Sequence, residues 1–220
     1  MASSHYKLDL HTHSIRSHDG SITFQDYSDL LDKKILDFVA ITDHNTISYA
    51  QEVKKTLGDK IIVGEEIWTA DGEVIGLFLE EVIPKDLSLE KTIALIREQQ
   101  GLIYIPHPFC RNRFGVSEEV LLPFLDMVDI MEYFNPRNIF RGDNERARQF
   151  ILQHRKVMAA SSDSHCRKEV GLTYSHISAV PTKQHLVSLL QQATYSCRYP
   201  SKVHLFCPKK NKLKKIFHML

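Results

Sequence analysis

The stretch LDLHTHSIRSHDGS, residues 8–21, crowds His11, His13, His18 and Asp19 into nine positions at the end of an apolar run. Leu8, Asp9 and Leu10 alternate as strand residues do, and Gly20 follows the acid. Side chains two apart on a strand point to the same face, so His11 and His13 can reach one ion together. The stretch reads as a strand whose end carries ligands. Whether other strands end the same way decides the fold and the site together.

Six more short apolar segments follow: FVAITDH (38–44), IIVGEEI (61–67), EVIGLFL (73–79), GLIYIPH (101–107), VDIMEYF (128–134) and VMAASSD (157–163). Most are near-continuous apolar runs, the pattern of parallel strands covered on both faces. Between and after them lie segments of helical period: TFQDYSDLLDKK, ISYAQEVKKTLG, SLEKTIALIREQQ, SEEVLLPFLD, NERARQFILQHR and TKQHLVSLLQQA. Ser88 is placed to cap its helix, and Gly58 and Gly101 are placed to close theirs. Only the link between the third and fourth strands lacks a helix. Seven strands in this rhythm predict a single-domain, barrel-like α/β fold. The barrel is expected over residues 1–200, with 201–220 as a basic C-terminal segment.

The composition is that of a globular protein, 43% hydrophobic and 25% charged. No apolar run is long enough to span a membrane, and the N-terminus lacks the basic and apolar regions of a signal peptide. The four cysteines read as free thiols in a reducing cytoplasm. The net charge of +1 hides an asymmetry: residues 201–220 hold six lysines and no acid, leaving the rest acidic. An acidic body that handles an anion needs metal ions or local arginines.

Ligand-type residues recur at the strand ends: His44, Glu65 and Glu66, His107, then Asp163 and His165. In parallel α/β domains these ends converge on one surface, where active sites lie. The opening crowd of histidines is thus one sector of a metal site. Imidazole mixed with carboxylate suits zinc, manganese or iron better than magnesium or calcium. No cysteine pair has zinc-finger spacing.

The ordered motifs HTHS with DG six residues on, TDHN, GEEI, PHPF and SDSH resemble those of the polymerase-and-histidinol-phosphatase (PHP) superfamily. The likeness runs from about residue 6 to about residue 180. It implies a distorted (β/α)7 barrel, two or three divalent metals (Mn, Zn or Fe) and hydrolysis of phosphate esters. Position by position, it implies that His11, His13, Glu66 and Asp163 hold one metal. Glu66 would bridge to a second, completed by His107 and Glu73, where the family commonly has a histidine. Asp19, His44 and His165 would hold a third. Glu66 is chosen over Glu65 because the family's glutamate lies two residues after the glycine, here Gly64. Asn135 and Arg137 match site residues that similar proteins carry after the sixth strand.

Hydroxide generated on such ions needs no serine or cysteine nucleophile. Arginine suits a phosphate because its planar fork pairs with two oxygens, which singles out Arg111, Arg113, Arg137 and Arg141. A proton for the leaving group could come from Asp19, His165, His18 or a metal-bound water. Asp43 is expected to orient a ligand rather than bind metal, and Cys110 and Cys166 to pack near the mouth. The expected substrate is a small phosphorylated metabolite or nucleotide. Only 41 positions separate Glu66 from His107 and 56 separate His107 from Asp163, leaving no room for an inserted substrate domain. The rival expectation is a nucleic-acid-binding or processing protein that uses the basic tail.

Overall fold

The computed structural model describes residues 5–218. Residues 1–4 and 219–220, the ends of the stretches read above as leaderless N-terminus and basic tail, lie outside the described residues. All seven expected strands form: β1 (Tyr6–Asp9), β2 (Phe38–Ile41), β3 (Ile61–Trp68), β4 (Glu73–Leu77), β5 (Leu102–Ile105), β6 (Ile130–Phe134) and β7 (Val157–Ala160). Two further strands, β8 (Tyr174–Ile177) and β9 (Thr194–Ser196), were not anticipated. The sheet runs β7-β6-β5-β4-β3-β2-β1-β8-β9. Just beyond β1 and β7 the chain brings these two strands together, where Thr12 bridges Ser164 and the His13 amide donates to the Ser164 carbonyl at 2.8 Å. The buried Asp9 carboxylate reinforces the seam by accepting from the Ser162 amide at 3.0 Å. The result is a single α/β domain built on a nearly closed barrel.

The strand period divides the core. Phe38 and Ala40 of β2 face one way, with Leu8, Leu10, Ile75 and Tyr104, and pack with Leu186 and Leu190. Val39 and Ile41 face the other way, under Tyr27, Leu30, Val53 and Ile93 from the outer helices. This alternation explains the near-continuous apolar runs, because both faces of each strand are covered.

Helix ends follow local chemistry. Helix α1 (Phe24–Asp32) opens with a reciprocal Thr23–Asp26 capping box, and α2 (Ser48–Leu57) closes on Gly58 at φ 65°. Ser88 caps α3 (Leu89–Glu98), accepting from the Lys91 amide at 3.3 Å. The left-handed residue after α3 is Gln100 (φ 56°), not the expected Gly101. Gly101 is needed for space instead, since a Cβ there would come within 2.9 Å of Ile96. The fourth helix, α4 (Glu118–Leu121), is one turn that tightens into a 3-10 segment, Leu122–Met127, with Pro123 in its first turn. Then come α5 (Arg141–Gln153), α6 (Leu186–Gln191) and α7 (Cys207–His218).

One expectation is corrected. Strand β4 pairs antiparallel with both β3 and β5, so the sheet is not all parallel. The four-residue link from Trp68 to Glu73 is too short for a crossover, so the chain must turn back as a hairpin. The reversal matters for the site: the first residue of β4, Glu73, pairs with Trp68, the last of β3. Glu73 thereby reaches the end of the barrel where its neighbours finish.

Candidate metal centre

His11, His13, Glu66 and Asp163 come from three strand ends and meet at the barrel mouth, each 1% exposed or less. The Nε2 atoms of His11 and His13 lie 3.1 Å apart. Glu66 Oε2 is 3.2 Å from each of them, and Asp163 Oδ1 is 3.5 and 3.3 Å away. Ligands of one ion stand about 3.4 Å apart when each bond is about 2.1 Å and the geometry tetrahedral, so the spacing fits. Two imidazole nitrogens and two carboxylates converging on one point are a donor set that could hold a divalent cation.

Glu66 also reaches the second cluster. Its Oε1 is 3.0 Å from His107 Nε2, which lies 3.6 Å from Glu73 Oε2. Burial, then repulsion from Glu66, pushes the Glu73 carboxyl up to about 8. Glu73 is buried, so it is not the solvent-facing strand residue that its position could have made it.

The third cluster gathers His13, Asp19, His44 and His165. Asp19 Oδ2 is 3.3 Å from His165 Nε2 and 3.8 Å from His44 Nε2. Burial would raise the Asp19 carboxyl, but the facing His165, His13 and His44 hold it below the ordinary carboxylate range. Burial also pushes His44 and His107 down to about 4, with the Arg113 charge adding to the effect at His107. Neutral imidazole is the ligating form. His11 differs: burial lowers it, but Glu66 and Glu132 outweigh that and lift it to about 10, so an ion here competes with a proton.

His107 (φ 27°) and Asp163 (φ 49°) occupy the left-handed backbone region, unusual for side-chain-bearing residues. Such conformations persist where the surroundings over-determine them, as at functional sites. Glu132 helps to do so. It is buried beneath the cluster and accepts from the His107 amide (2.7 Å), the Tyr104 hydroxyl (2.8 Å) and Asn135 Nδ2 (2.8 Å). Its Oε1 also faces His11 Nδ1, leaving Nε2 free to ligate.

A family model for the PHP domain matches residues 9–122, and a second, described as PHP-associated, matches residues 141–195. The chain belongs to the PHP family. It is 38% identical over 142 residues to the uncharacterized protein MJ1587 of Methanocaldococcus jannaschii, covering 59% of this chain and 83% of that protein. It is 39% identical over 178 residues to MJ0417 of the same organism, covering 78% and 70%. A two-domain protein of Bacteroides vulgatus containing a predicted PHP-like metal-dependent phosphoesterase superposes with a TM-score of 0.71 at 18% identity. That match covers 89% of this chain but only 65% of the other, so this chain spans under two thirds of it. At that identity the likeness speaks for the fold alone.

Several residues around this PHP centre were legible only in part. Asn135 is fully buried behind the ligands and not in the cavity wall; its Nδ2 donates to Asp163 at 3.1 Å as well as to Glu132. Arg137, read as a phosphate ligand, lines the cavity, pairs there with the buried Glu169 at 2.5 Å and reaches the Leu205 carbonyl at 3.0 Å. Glu169 went unnoticed in the sequence; it accepts from the His165 amide at 2.8 Å. Arg113 contacts Asp163 and Asn138 at the cavity edge, and Arg141 stacks on Tyr199 in its wall. Arg111 pairs with Asp143 away from the cavity. Asp43 binds the Ser14 amide and hydroxyl, so it fixes the turn after His13 rather than a ligating ring. His18 packs edge-on against Trp68 beside the third cluster. Cys110 lies against Asn138, and Cys166 meets Cys207 of α7.

Asp19, His44, Glu66, Glu73, His107, Asp163 and His165 form the floor of a cavity of about 810 Å³, with His11 and His13 outside its lining. Its outer wall is built partly by the C-terminal segment, from Tyr199 to Lys212. Among the described residues, no helix is long and apolar enough to cross a membrane.

Proposed function

We propose that this PHP-family chain is a metal-dependent phosphoesterase acting on a small phosphorylated metabolite or nucleotide. The observation that carries this reading is the convergence of nine donor residues at one end of the barrel, seven of them on the floor of one cavity with arginine at its edge. His11, His13, Glu66 and Asp163 would hold one divalent ion, Glu66, His107 and Glu73 a second, and Asp19, His44 and His165 a third. Manganese, zinc and iron are the candidates, and such ions supply an activated hydroxide and neutralise phosphoryl charge.

The chain's own groups do the rest. Glu132 turns the His11 ring, and Asn135 holds Asp163 from behind. Arg113, already at the cavity edge, is placed to pair with phosphoryl oxygens through its planar fork. Arg141 stands farther out. Asp19 and His165 meet at the mouth, where a proton can pass to the departing oxygen. Nucleic acid ranks second as substrate, because the basic C-terminal segment packs on the mouth as a helix rather than trailing free. The cytoplasmic placement belongs to the same proposal and rests on composition and on four free thiols.

The deciding experiment is a screen of phosphorylated metabolites and nucleotides with Mn²⁺, Zn²⁺ and Fe²⁺, alongside elemental analysis of gently purified protein. Turnover with two or three metal equivalents per chain supports the proposal. One equivalent or none after reconstitution, with no ester cleaved, would overturn it.

A further inference from the structure

The cavity has two electrically opposite ends. Its floor carries Asp19, Glu66, Glu73 and Asp163, whereas Arg141, Lys202, Lys209 and Lys212 line its outer wall. Arg113 and Arg137, nearer the floor, are matched by Asp163 and Glu169. Among the described residues, none of the four outer cations pairs with a carboxylate; Arg141 only stacks on Tyr199.

Surface lysines alone would mean little, but Lys209 and Lys212 sit on a helix that is pinned. Asn211, 8% exposed, donates from one Nδ2 to the carbonyls of Asp19 at 2.8 Å and His165 at 3.1 Å. One turn on, the Lys215 ammonium donates to the carbonyls of Ile15 (2.7 Å), Gly20 (2.9 Å) and Ser17. These anchors grip two of the three segments that carry the third cluster, those of Asp19 and His165. Residues 211 and 215 share one helix face by their spacing, and 209 and 212 are neighbours three apart. Anchoring holds the two lysines at the cavity, where like charges repel until an anion enters.

The cavity is also larger than a phosphate needs; its volume is that of a site for a drug-sized ligand. Trp68, Phe114, Ile139 and Phe206 supply apolar wall. We propose that Lys209 and Lys212, with Arg141 and Lys202, form a subsite for a second anionic group of the substrate, remote from the ester that is cleaved. The substrate class is then a phosphate ester bearing a further phosphate or carboxylate at its far end. This rests on the phosphoesterase reading of the same cavity and makes α7 a specificity element.

The test compares kcat/KM of the full-length, Mn²⁺-loaded chain on fructose 1,6-bisphosphate, 3-phosphoglycerate and p-nitrophenyl phosphate. The readout is the ratio of each two-anion ester to p-nitrophenyl phosphate. The double variant K209M/K212M should lower at least one ratio about tenfold or more through KM, the loss of one or two charge-assisted hydrogen bonds. K209R/K212R should restore it, and K210M/K214M, on the same helix but off the cavity, should leave it unchanged. Which ratio falls tells phosphate from carboxylate. Unchanged ratios in K209M/K212M, or an equal fall in K210M/K214M, would overturn the subsite. Failure of the intact chain to cleave any ester defeats the phosphoesterase reading instead. Calorimetric affinities for the same three compounds in the same variants then decide the subsite by the same ratios.

Discussion

Glu132 Oε1 lies 3.3 Å from His11 Nδ1, across 121 residues of chain, while His11 Nε2 faces Glu66 and Asp163. A carboxylate behind a histidine in this way sets its tautomer and raises its basicity as a ligand. Glu132→Gln should therefore weaken divalent metal binding roughly 10–100-fold while keeping the shape of the site. Calorimetric titration of the variant with Mn²⁺ is the check, and wild-type affinity would remove Glu132 from this role.

Glu73 tests the second cluster. Glu73→Ala should lower metal content selectively, by about one equivalent, because His107 and Glu66 are then left without their third partner. Glu73→His should retain the metal, since imidazole is an equally competent ligand there. Elemental analysis of both variants beside wild type reads the outcome directly; unchanged content in Glu73→Ala would make the residue a bystander.

Chelation should abolish hydrolysis without unfolding the chain, because the two apolar clusters form the core independently of the metal donors. Stability should nevertheless change. A ligand at 100 times its Kd adds about 2.7 kcal/mol, which for a domain of this size is roughly 5–11 °C in Tm. Scanning calorimetry with excess Mn²⁺ against chelator measures the difference. An identical Tm in the two conditions would mean that no ion binds the folded chain.

Arg137 separates two roles by what its loss changes. Its guanidinium and the Glu169 carboxylate have side chains only 9% and 2% exposed. Arg137→Ala strands a buried charge and should destabilise the fold by about 3–5 kcal/mol. A phosphate-binding arginine at a free rim would cost activity and leave stability near wild type. Urea denaturation distinguishes these outcomes.

Deleting residues 206–220 should not be silent. It removes Asn211 and Lys215 and exposes the backbone carbonyls they satisfy beside Asp19 and His165. Exchanging each of these hydrogen bonds for one to water costs about 0.5–1.5 kcal/mol. The truncated chain should stay folded, lose stability, and lose metal from the third cluster before the first. If RNA binding were the tail's task, the deletion would also flatten a steep salt dependence by roughly 0.7 per lysine lost. We expect little RNA affinity to flatten. Filter binding across a salt series, with metal content measured in parallel, checks both statements.

How much of this was legible in residue order varies with the range of the interaction. The apolar runs are local, so they located all seven barrel strands, and the strand period of two set His11 beside His13. The missing helix between β3 and β4 was visible as a short link. That the link reverses the strand, bringing the start of β4 to the mouth, follows from pairing and was missed. Glu65 and Glu66 are indistinguishable by composition, and the family spacing singled out Glu66. The fold agrees: Glu66 meets four histidines, whereas Glu65 Oε2 accepts the Ile83 amide.

What sequence by itself determined is the set of donors and the strand ends that carry them, because both rest on side-chain chemistry and short-range period. Only the tertiary structure decided their partners. Glu132 sits in an apolar strand as one unremarkable acid, and Glu169 in a polar loop, until barrel closure sets each against a residue far away in the chain. The basic tail likewise reads as either a solvated segment or a helix packed on the barrel. Its Asn211 amide acquires meaning only where Asp19 and His165 leave carbonyls that need donors, and its Lys215 only where Ile15, Ser17 and Gly20 do. Burial creates those needs, and burial is a property of the closed barrel rather than of any stretch of residues.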